Sequence, residues 1–498
     1  HRNSPNTPAM NTPEPTIDLP AFLNSLRHIV GEANVLTDGD LSAWTHDWRK
    51  RVQGKALAVV RPATTEEVAA VVRTCDAHAT AIVPQGGNTG LVLGSVPDES
   101  GTQVLLSLSR MNRIRQIDSD NLTVTVEAGC VLQALQNAVA EKGLYFPLSL
   151  AAEGSCTIGG NLATNAGGTQ VLRFGNTRDL CLGLEVVTAE GTIWDGLSGL
   201  RKDNTGYDLR NLLIGSEGTL GVITAATMKL YPQPTSRSVA WLHVNQLDDA
   251  VQVLGHARRL LSDGLTGFEV MGAFARSLVV KHFPQLSMPL HEVAPEAPYA
   301  ILLEYASADD DATTQDRLEQ VVGEAIEKGW VTDAVLAAQL SQAATMWQIR
   351  EHISLAQSQE GLNIKHDISI PISRIAAFVA HTDHALAQAI PGVRLVNFGH
   401  LGDGNLHYNV QAPLGVDAAT FLETQEVRIN TVVFDAVLSF GGSISAEHGI
   451  GSLKAETLPH YKSPVALRMM RQIKTALDPK NLFNPGRVLP RSVEAGHE

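Results

Sequence analysis

At 498 residues, 44% hydrophobic and 18% charged, with a formal charge of −14 and no Lys/Arg cluster, the chain is globular in composition and lacks the basic footprint of a nucleic-acid binder. No run approaches the ~20 consecutive apolar residues of a membrane helix, so no transmembrane segment is expected. The length exceeds what one core supports, which is roughly 250 to 300 residues, and predicts two or three domains.

The residues before Met10 are rich in Pro, Asn and Thr and lack the apolar core of a secretory signal. From Lys55 onward an apolar run (residues 56–60), a helix opening at Thr64-Thr65-Glu66-Glu67 and a second apolar run (81–83) read as βαβ. Strands over 103–108, 122–127 and 182–188 around a helix at 131–143 make the first half mixed α/β. Tyr231-Pro-Gln-Pro234 is a linker candidate.

Beyond it the order is strand (239–244), helix (247–261), strand (267–270), strand (299–305), helix (314–328) and strand (331–336). That β-α-β-β-α-β series predicts a ferredoxin-like domain with helices on one face of an antiparallel sheet, residues 283–298 forming an excursion. A helix over 346–360, a strand at 364–370 and a hairpin of two apolar runs, 393–398 and 406–410, follow. Helices at 418–440 and 464–477 precede a polar tail, and no internal repeat is visible.

The four cysteines, Cys75, Cys130, Cys156 and Cys181, include no Cys-x-x-Cys pair. They read as buried free thiols of a reducing compartment, and a cytoplasmic location is expected. An iron–sulfur cluster or thiol-bound zinc is disfavoured.

Three glycine segments stand out: Pro84-Gln-Gly-Gly-Asn-Thr-Gly-Leu-Val-Leu-Gly-Ser95, then residues 153–168, then residues 206–223. The first follows a strand and can converge several backbone N–H groups on one anion. It matches neither the Gly-x-Gly-x-x-Gly nor the Walker pattern, which disfavours a Rossmann nicotinamide site and a P-loop. Any one segment is explained by tight turns. Three within one region favour a large polar ligand.

In Asn397-Phe-Gly-His-Leu-Gly-Asp-Gly-Asn-Leu-His407, two histidines flank a Gly-Asp-Gly turn, and adjacent Glu447 and His448 follow. The hairpin brings His400 and His407 together. Two imidazoles and a carboxylate leave a divalent cation an open coordination position, suited to hydrolysis or to redox work.

The glycine segments, in this order, resemble the flavin domain of the vanillyl-alcohol oxidase and p-cresol methylhydroxylase superfamily. With Ala446-Glu-His-Gly-Ile-Gly451 and Asp478-Pro-Lys-Asn-Leu-Phe-Asn-Pro-Gly486 the resemblance extends to the FAD-linked D-2-hydroxyacid dehydrogenases, over residues 45 to 490. It implies an α+β architecture: a superfamily FAD-binding domain, a ferredoxin-like α+β substrate (cap) domain and a C-terminal helical segment. The implied boundaries are a tail and leading helix (1–44), the FAD-binding domain (45–234), the cap domain with the metal hairpin (235–445), a segment returning to the flavin (446–490) and a tail (491–498).

The resemblance implies that Pro84, Gly86, Gly87, Asn88, Thr89, Gly90, Gly94 and Ser95 hold the FAD pyrophosphate. Glu153, Gly154, Thr157, Gly159, Gly160, Asn161, Asn165 and Gly168 would run beside the ring and ribityl chain. Gly218, Gly221, Val222 and Ile223 would meet the adenosine end, and Asn484 would return to the flavin. The first loop offers no His or Cys for a covalent tether, so noncovalent FAD is expected, with Cys156 the nearest thiol.

His400, His407 and Glu447 are the implied metal ligands, for zinc or manganese. His448 is the implied base, imidazoles being suited to proton transfer near neutrality. Arg350 and Ser354, four apart on one predicted helix, with Lys365 in an apolar strand and Asn409 beside the hairpin, are the implied substrate contacts. Arg350 and Lys365 join His448 in the catalytic set. Ser354 stands where relatives are expected to carry Thr.

The expected reaction is oxidation of a D-2-hydroxy acid to the 2-oxo acid. D-2-hydroxyglutarate is favoured over D-lactate, because a second carboxylate needs a second cation. A flavin-binding subunit of a glycolate-oxidase-like complex is the alternative. An electron-transfer flavoprotein or a quinone is the expected acceptor, and a homodimer the expected assembly.

Overall fold

The computed structural model describes residues 18–491. The expected N-terminal tail through residue 17 and the tail beyond residue 491 lie outside them. No helix among the described residues is long and apolar enough to cross a membrane.

The first sheet holds β1 (Val35–Leu36), β2 (Ala56–Val60), β3 (Ile82–Gln85) and β4 (Gln103–Ser107), in the order β1-β2-β4-β3. β2 and β3 both run parallel to β4, as a βαβ unit requires. The connecting helix Thr65–Ala77 is capped by Thr64, whose hydroxyl accepts from Glu67 N at 3.1 Å. Glu66 and Glu67 in its first turn complement the helix dipole. Val68, Val71, Val72 and Cys75 recur at helical spacing and bury one face on the sheet.

The second sheet, antiparallel throughout, contains β5 (Ile114–Asp118), β6 (Thr123–Glu127), β8 (Cys181–Val187), β9 (Ile193–Gly196) and β10 (Val222–Lys229), in the order β5-β6-β10-β8-β9. β7 (Leu144–Tyr145) pairs with β11 (Tyr231–Pro232). The expected linker at Tyr231 is therefore a short strand. Its prolines are tolerated because the two-residue pairing needs few backbone donors.

The third sheet has eight strands: β12 (Ser236–Val244), β13 (Leu265–Gly272), β14 (Tyr299–Ser307), β15 (Asp333–Leu336), β16 (Asn363–Ile364), β17 (Asp367–Ser369), β18 (Arg394–His400) and β19 (Asn405–Gln411). Its order begins β15-β12-β14-β13, the ferredoxin-like arrangement, and continues through β18 and β19. Both faces are covered, contrary to the one-sided expectation. Ala240, Leu242 and Val244 of β12 pack with helices 247–261 and 311–327, whereas Val239 and Trp241 point the other way toward helices 273–282, 340–351 and 353–360. A strand buried on both faces reads as a continuous apolar run, which hides the second helical layer from pattern analysis.

The predicted helix over 346–360 is two helices, Leu340–Glu351 and Ile353–Glu360, broken at His352. The last segment returns to the first sheet: Ile82 N donates to Leu482 O, and Asn484 N to Ile82 O, both at 2.8 Å.

Candidate active site

A cleft opens where the three glycine segments meet, and its wall continues to Glu447 and His448. The predicted FAD residues line it except Glu153, Gly154, Asn165, Gly168 and Asn484. Gly154 is exposed and Glu153 half-buried, on the outer side of the second segment. Asn165 is spent locally, its Oδ1 accepting from Arg178 N at 2.9 Å. Gly168 packs on Ser149 O in a left-handed conformation, φ +108°. Sequence reasoning missed Ser216 and Glu217, which also line the cleft.

The cradle suits a large cofactor whose phosphates lie against backbone. A Cβ on Gly86 would meet Thr157 Oγ1, and one on Gly87 would lie 2.2 Å from Ser155 O, so the first two segments pack backbone to backbone. Asn484 stands behind the wall, its Nδ2 donating to Gly94 O and Glu217 O, each at 2.8 Å. Its buried Oδ1 has no partner among the described residues. These features fit FAD.

The metal candidates converge across the hairpin. In the β18–β19 register Phe398 faces His407 and His400 faces Asn405, so the two histidines are diagonal neighbours on one face, ring centroids 5.4 Å apart. Glu447 Oε1 lies 3.8 Å from Nε2 of each. Two nitrogens and an oxygen at this spacing suit one divalent cation at ~2.0 to 2.2 Å from each donor. Asp367, Glu447 and His448 form a second cluster. There, however, Asp367 Oδ2 is committed to the backbone N–H groups of Glu447 and His448, at 2.9 and 3.0 Å.

Two carboxylates absent from the sequence-based site hold this arrangement. Glu269, buried in β13, lies 2.8 Å from His400 Nδ1 and so leaves Nε2 to face Glu447. Asp367, buried at the start of β17, fixes the loop bearing Glu447 and His448, and also accepts from Asn405 Nδ2 at 2.9 Å. An acidic residue within Phe268-Glu-Val-Met271 is a signal that sequence alone could have supplied. Glu447 Oε2 also accepts from Gly168 N at 3.1 Å, joining the second glycine segment to the metal candidates.

The remaining predicted residues are placed unevenly. Arg350 is buried, its Nε 2.8 Å from Glu269 Oε1 but off-angle for a hydrogen bond, and its guanidinium stacks 4.8 Å from the Phe398 ring centre. Ser354 is exposed and lies beyond the break at His352, so the expected shared helix face is absent. Lys365 sits between β16 and β17 rather than within a strand. Asn409 is buried; its Oδ1 accepts from His366 N at 3.1 Å and its Nδ2 donates to Gln357 Oε1 at 2.9 Å, which braces the sheet.

The electrostatics favour a cation. Burial alone would depress the His400 imidazole, but Glu269 and Glu447 override it and hold it well above the usual histidine range. Burial pushes His407 down to about 3, against the pull of Asp367 and Glu447. Glu447 is held below the usual carboxylate range, because its histidine neighbours outweigh burial. A deprotonated carboxylate and a neutral imidazole are ligand-ready forms, and a divalent cation would displace the proton held by His400.

Residues 56–196 match the FAD binding domain family, and residues 233–488 match FAD linked oxidases, C-terminal domain. The chain is 40% identical over 471 residues to D-2-hydroxyglutarate dehydrogenase, mitochondrial, of Bos taurus, covering 94% of this chain and 83% of that protein. It is 39% identical over 480 residues to D-2-hydroxyglutarate dehydrogenase of Xanthomonas citri pv. viticola, covering 95% and 98%. Substrate-bound p-cresol methylhydroxylase shares the fold at TM-score 0.75 and 17% identity, over 96% of this chain and 98% of that one. The chain belongs to the FAD-linked oxidases, as a homologue of the D-2-hydroxyglutarate dehydrogenases.

Proposed function

We propose that this protein oxidises D-2-hydroxyglutarate to 2-oxoglutarate with noncovalent FAD and a divalent metal, zinc or manganese, and passes the electrons to an electron-transfer flavoprotein or a quinone. The observation that carries this reading is that Glu447 belongs to two sites at once: beside His448 it lines the cleft, and it closes the His400–His407 cluster. A D-2-hydroxy acid is proposed to bind there, with its Cα toward the cleft and its hydroxyl toward His448.

When bound, FAD supplies a hydride acceptor and the metal supplies Lewis-acid polarisation of the hydroxyl. His400, His407 and Glu447 would hold the cation. His448 takes the hydroxyl proton, supported by Asp367, whose Oδ2 lies 3.5 Å from His448 Nδ1. Arg350 and Lys365 offset substrate charge, and Ser354 and Asn409 are proposed to contact the bound acid. Burial pushes the Cys156 thiol up to about 11, which keeps it protonated and supports a noncovalent flavin.

Residues 45–234 are proposed as the FAD-binding domain, 235–445 as the cap and 446–490 as the returning segment. The four buried free cysteines support a reducing compartment, the cytoplasm being the one proposed. A homodimer is the proposed assembly. Turnover with an artificial electron acceptor tests the reading. D-2-hydroxyglutarate should be oxidised by metal-replete protein and lose its rate after chelation, whereas turnover indifferent to the metal would contradict it.

A further inference from the structure

The loop from Glu447 to Gly451 carries a metal candidate and the proposed base, and two buried carboxylates grip it. Asp367 Oδ2 accepts from Glu447 N and His448 N at 2.9 and 3.0 Å. Glu217 takes the far end: its Oε1 accepts from Gly451 N at 2.8 Å, and both of its oxygens accept from Ile450 N at 3.2 Å. Four of the five backbone N–H groups from Glu447 to Gly451 are therefore held by two side chains. Buried N–H groups need acceptors, and an ionised carboxylate is a strong one.

The two carboxylates come from different parts of the fold. Asp367 opens β17 of the eight-stranded sheet, paired with the histidine hairpin, whereas Glu217 precedes β10 and lines the cofactor cleft. Glu217 is itself fixed in place. Its N donates to Ala163 O in the second glycine segment at 2.8 Å, and its O accepts from Asn484 Nδ2, which also reaches Gly94 O in the first. That backbone lies in the left-handed region at φ +55°, uncommon for a residue with a side chain and retained where the surrounding contacts enforce it. A Cβ on Gly449 would lie 2.7 Å from Glu217 Oε1, so glycine lets the loop run against the carboxylate one residue after His448.

We propose that Glu217 is a positioning residue: gripping the loop from the cofactor side, it sets the His448 imidazole against the cleft. This rests on the oxidase reading above. Glu447 has a further restraint of its own, Gly168 N donating to its Oε2 at 3.1 Å. His448 is restrained on the hairpin side through Asp367, which takes its N–H and lies 3.5 Å from its Nδ1. Its placement relative to the cleft wall then depends on where Glu217 pins residues 450 and 451. A displacement of about 1 Å in a positioned group can cost roughly 10²-fold in rate.

The test is anaerobic flavin reduction by D-2-hydroxyglutarate in Glu217→Ala and Glu217→Gln, with flavin and metal content measured on the same samples. In Glu217→Ala the limiting rate per bound flavin should fall about 10- to 100-fold, while the substrate dissociation constant and metal content stay near wild type. Glu217→Gln keeps an acceptor oxygen and should recover part of the rate. In a His448→Ala background, Glu217→Ala should cost little more, because a residue acting through His448 then has nothing to position. Should Glu217→Ala fail to retain flavin, Glu217→Asp decides: it keeps the charge, shortens the reach and should slow reduction at full flavin content. A wild-type rate per bound flavin in the Ala or Asp variant, Gln no faster than Ala, or equal losses with and without His448 would overturn the role of Glu217. Wild-type protein whose flavin is reduced by no D-2-hydroxy acid would instead overturn the oxidase reading beneath it.

Discussion

Both carboxylate oxygens of Glu269 lie 2.8 Å from Nδ1 of His400, inside the fully buried strand β13. The contact fixes the ring and leaves Nε2 for a metal. Removing such a partner typically lowers metal affinity about 10- to 100-fold. Glu269→Gln should therefore release metal to a competing chelator at correspondingly lower concentration while remaining yellow. Metal retention equal to wild type would deny Glu269 this role.

Two histidine variants separate holding the metal from moving the proton. His400→Ala should lose metal and activity together and keep its flavin. His448→Ala should keep both cofactors, with flavin reduction slowed ~10²- to 10⁴-fold. Metal analysis beside rapid-mixing absorbance distinguishes them, and wild-type reduction rates in His448→Ala would remove it as the base.

Much of this site was legible because its chemistry is compressed into short segments. The Gly-Asp-Gly turn between His400 and His407 predicts their convergence from local geometry, and Gly404, at φ +81°, completes that turn. Glycine crowding between Pro84 and Ser95 predicts a backbone cradle. Glu269 was not legible, because it acts through His400, more than a hundred residues away in the chain, which only the folded sheet brings near. The break at His352 was equally hidden: the apolar pattern runs through it, and only the backbone separates Arg350 from Ser354.

Lys365 predicts a pH effect. Burial and the neighbouring Arg49 and Arg51 push its ammonium down to about 8. Its positive charge is present below that value and lost as pH rises through it. The KM for D-2-hydroxyglutarate should therefore climb above pH 8 while that for D-lactate stays flatter, and Lys365→Met should abolish the difference. Parallel profiles for the two substrates in wild-type protein would contradict the assignment.

Glu217 predicts a stability effect from the same cause, burial, acting on an acid. Burial raises its carboxyl to about 7, although the N–H groups of Ile450 and Gly451 favour the anion. In the unfolded chain it titrates near ~4.3, so between there and pH 7 the native state binds the extra proton. Stability contributed by the protonated form is present below pH ~4.3 and falls as pH rises to 7, by on the order of a few kcal/mol. Glu217→Gln should lose less Tm than wild type between pH 5 and pH 7.5, and identical slopes would refute the contribution.

The central claim, that the flavin cleft and the His400–His407–Glu447 cluster act on one D-2-hydroxy acid, is tested most directly by anaerobic mixing of the purified, metal-replete protein with single enantiomers. D-2-hydroxyglutarate should bleach the flavin absorbance and L-2-hydroxyglutarate should leave it unchanged. Bleaching by neither enantiomer, or by both alike, would contradict the account.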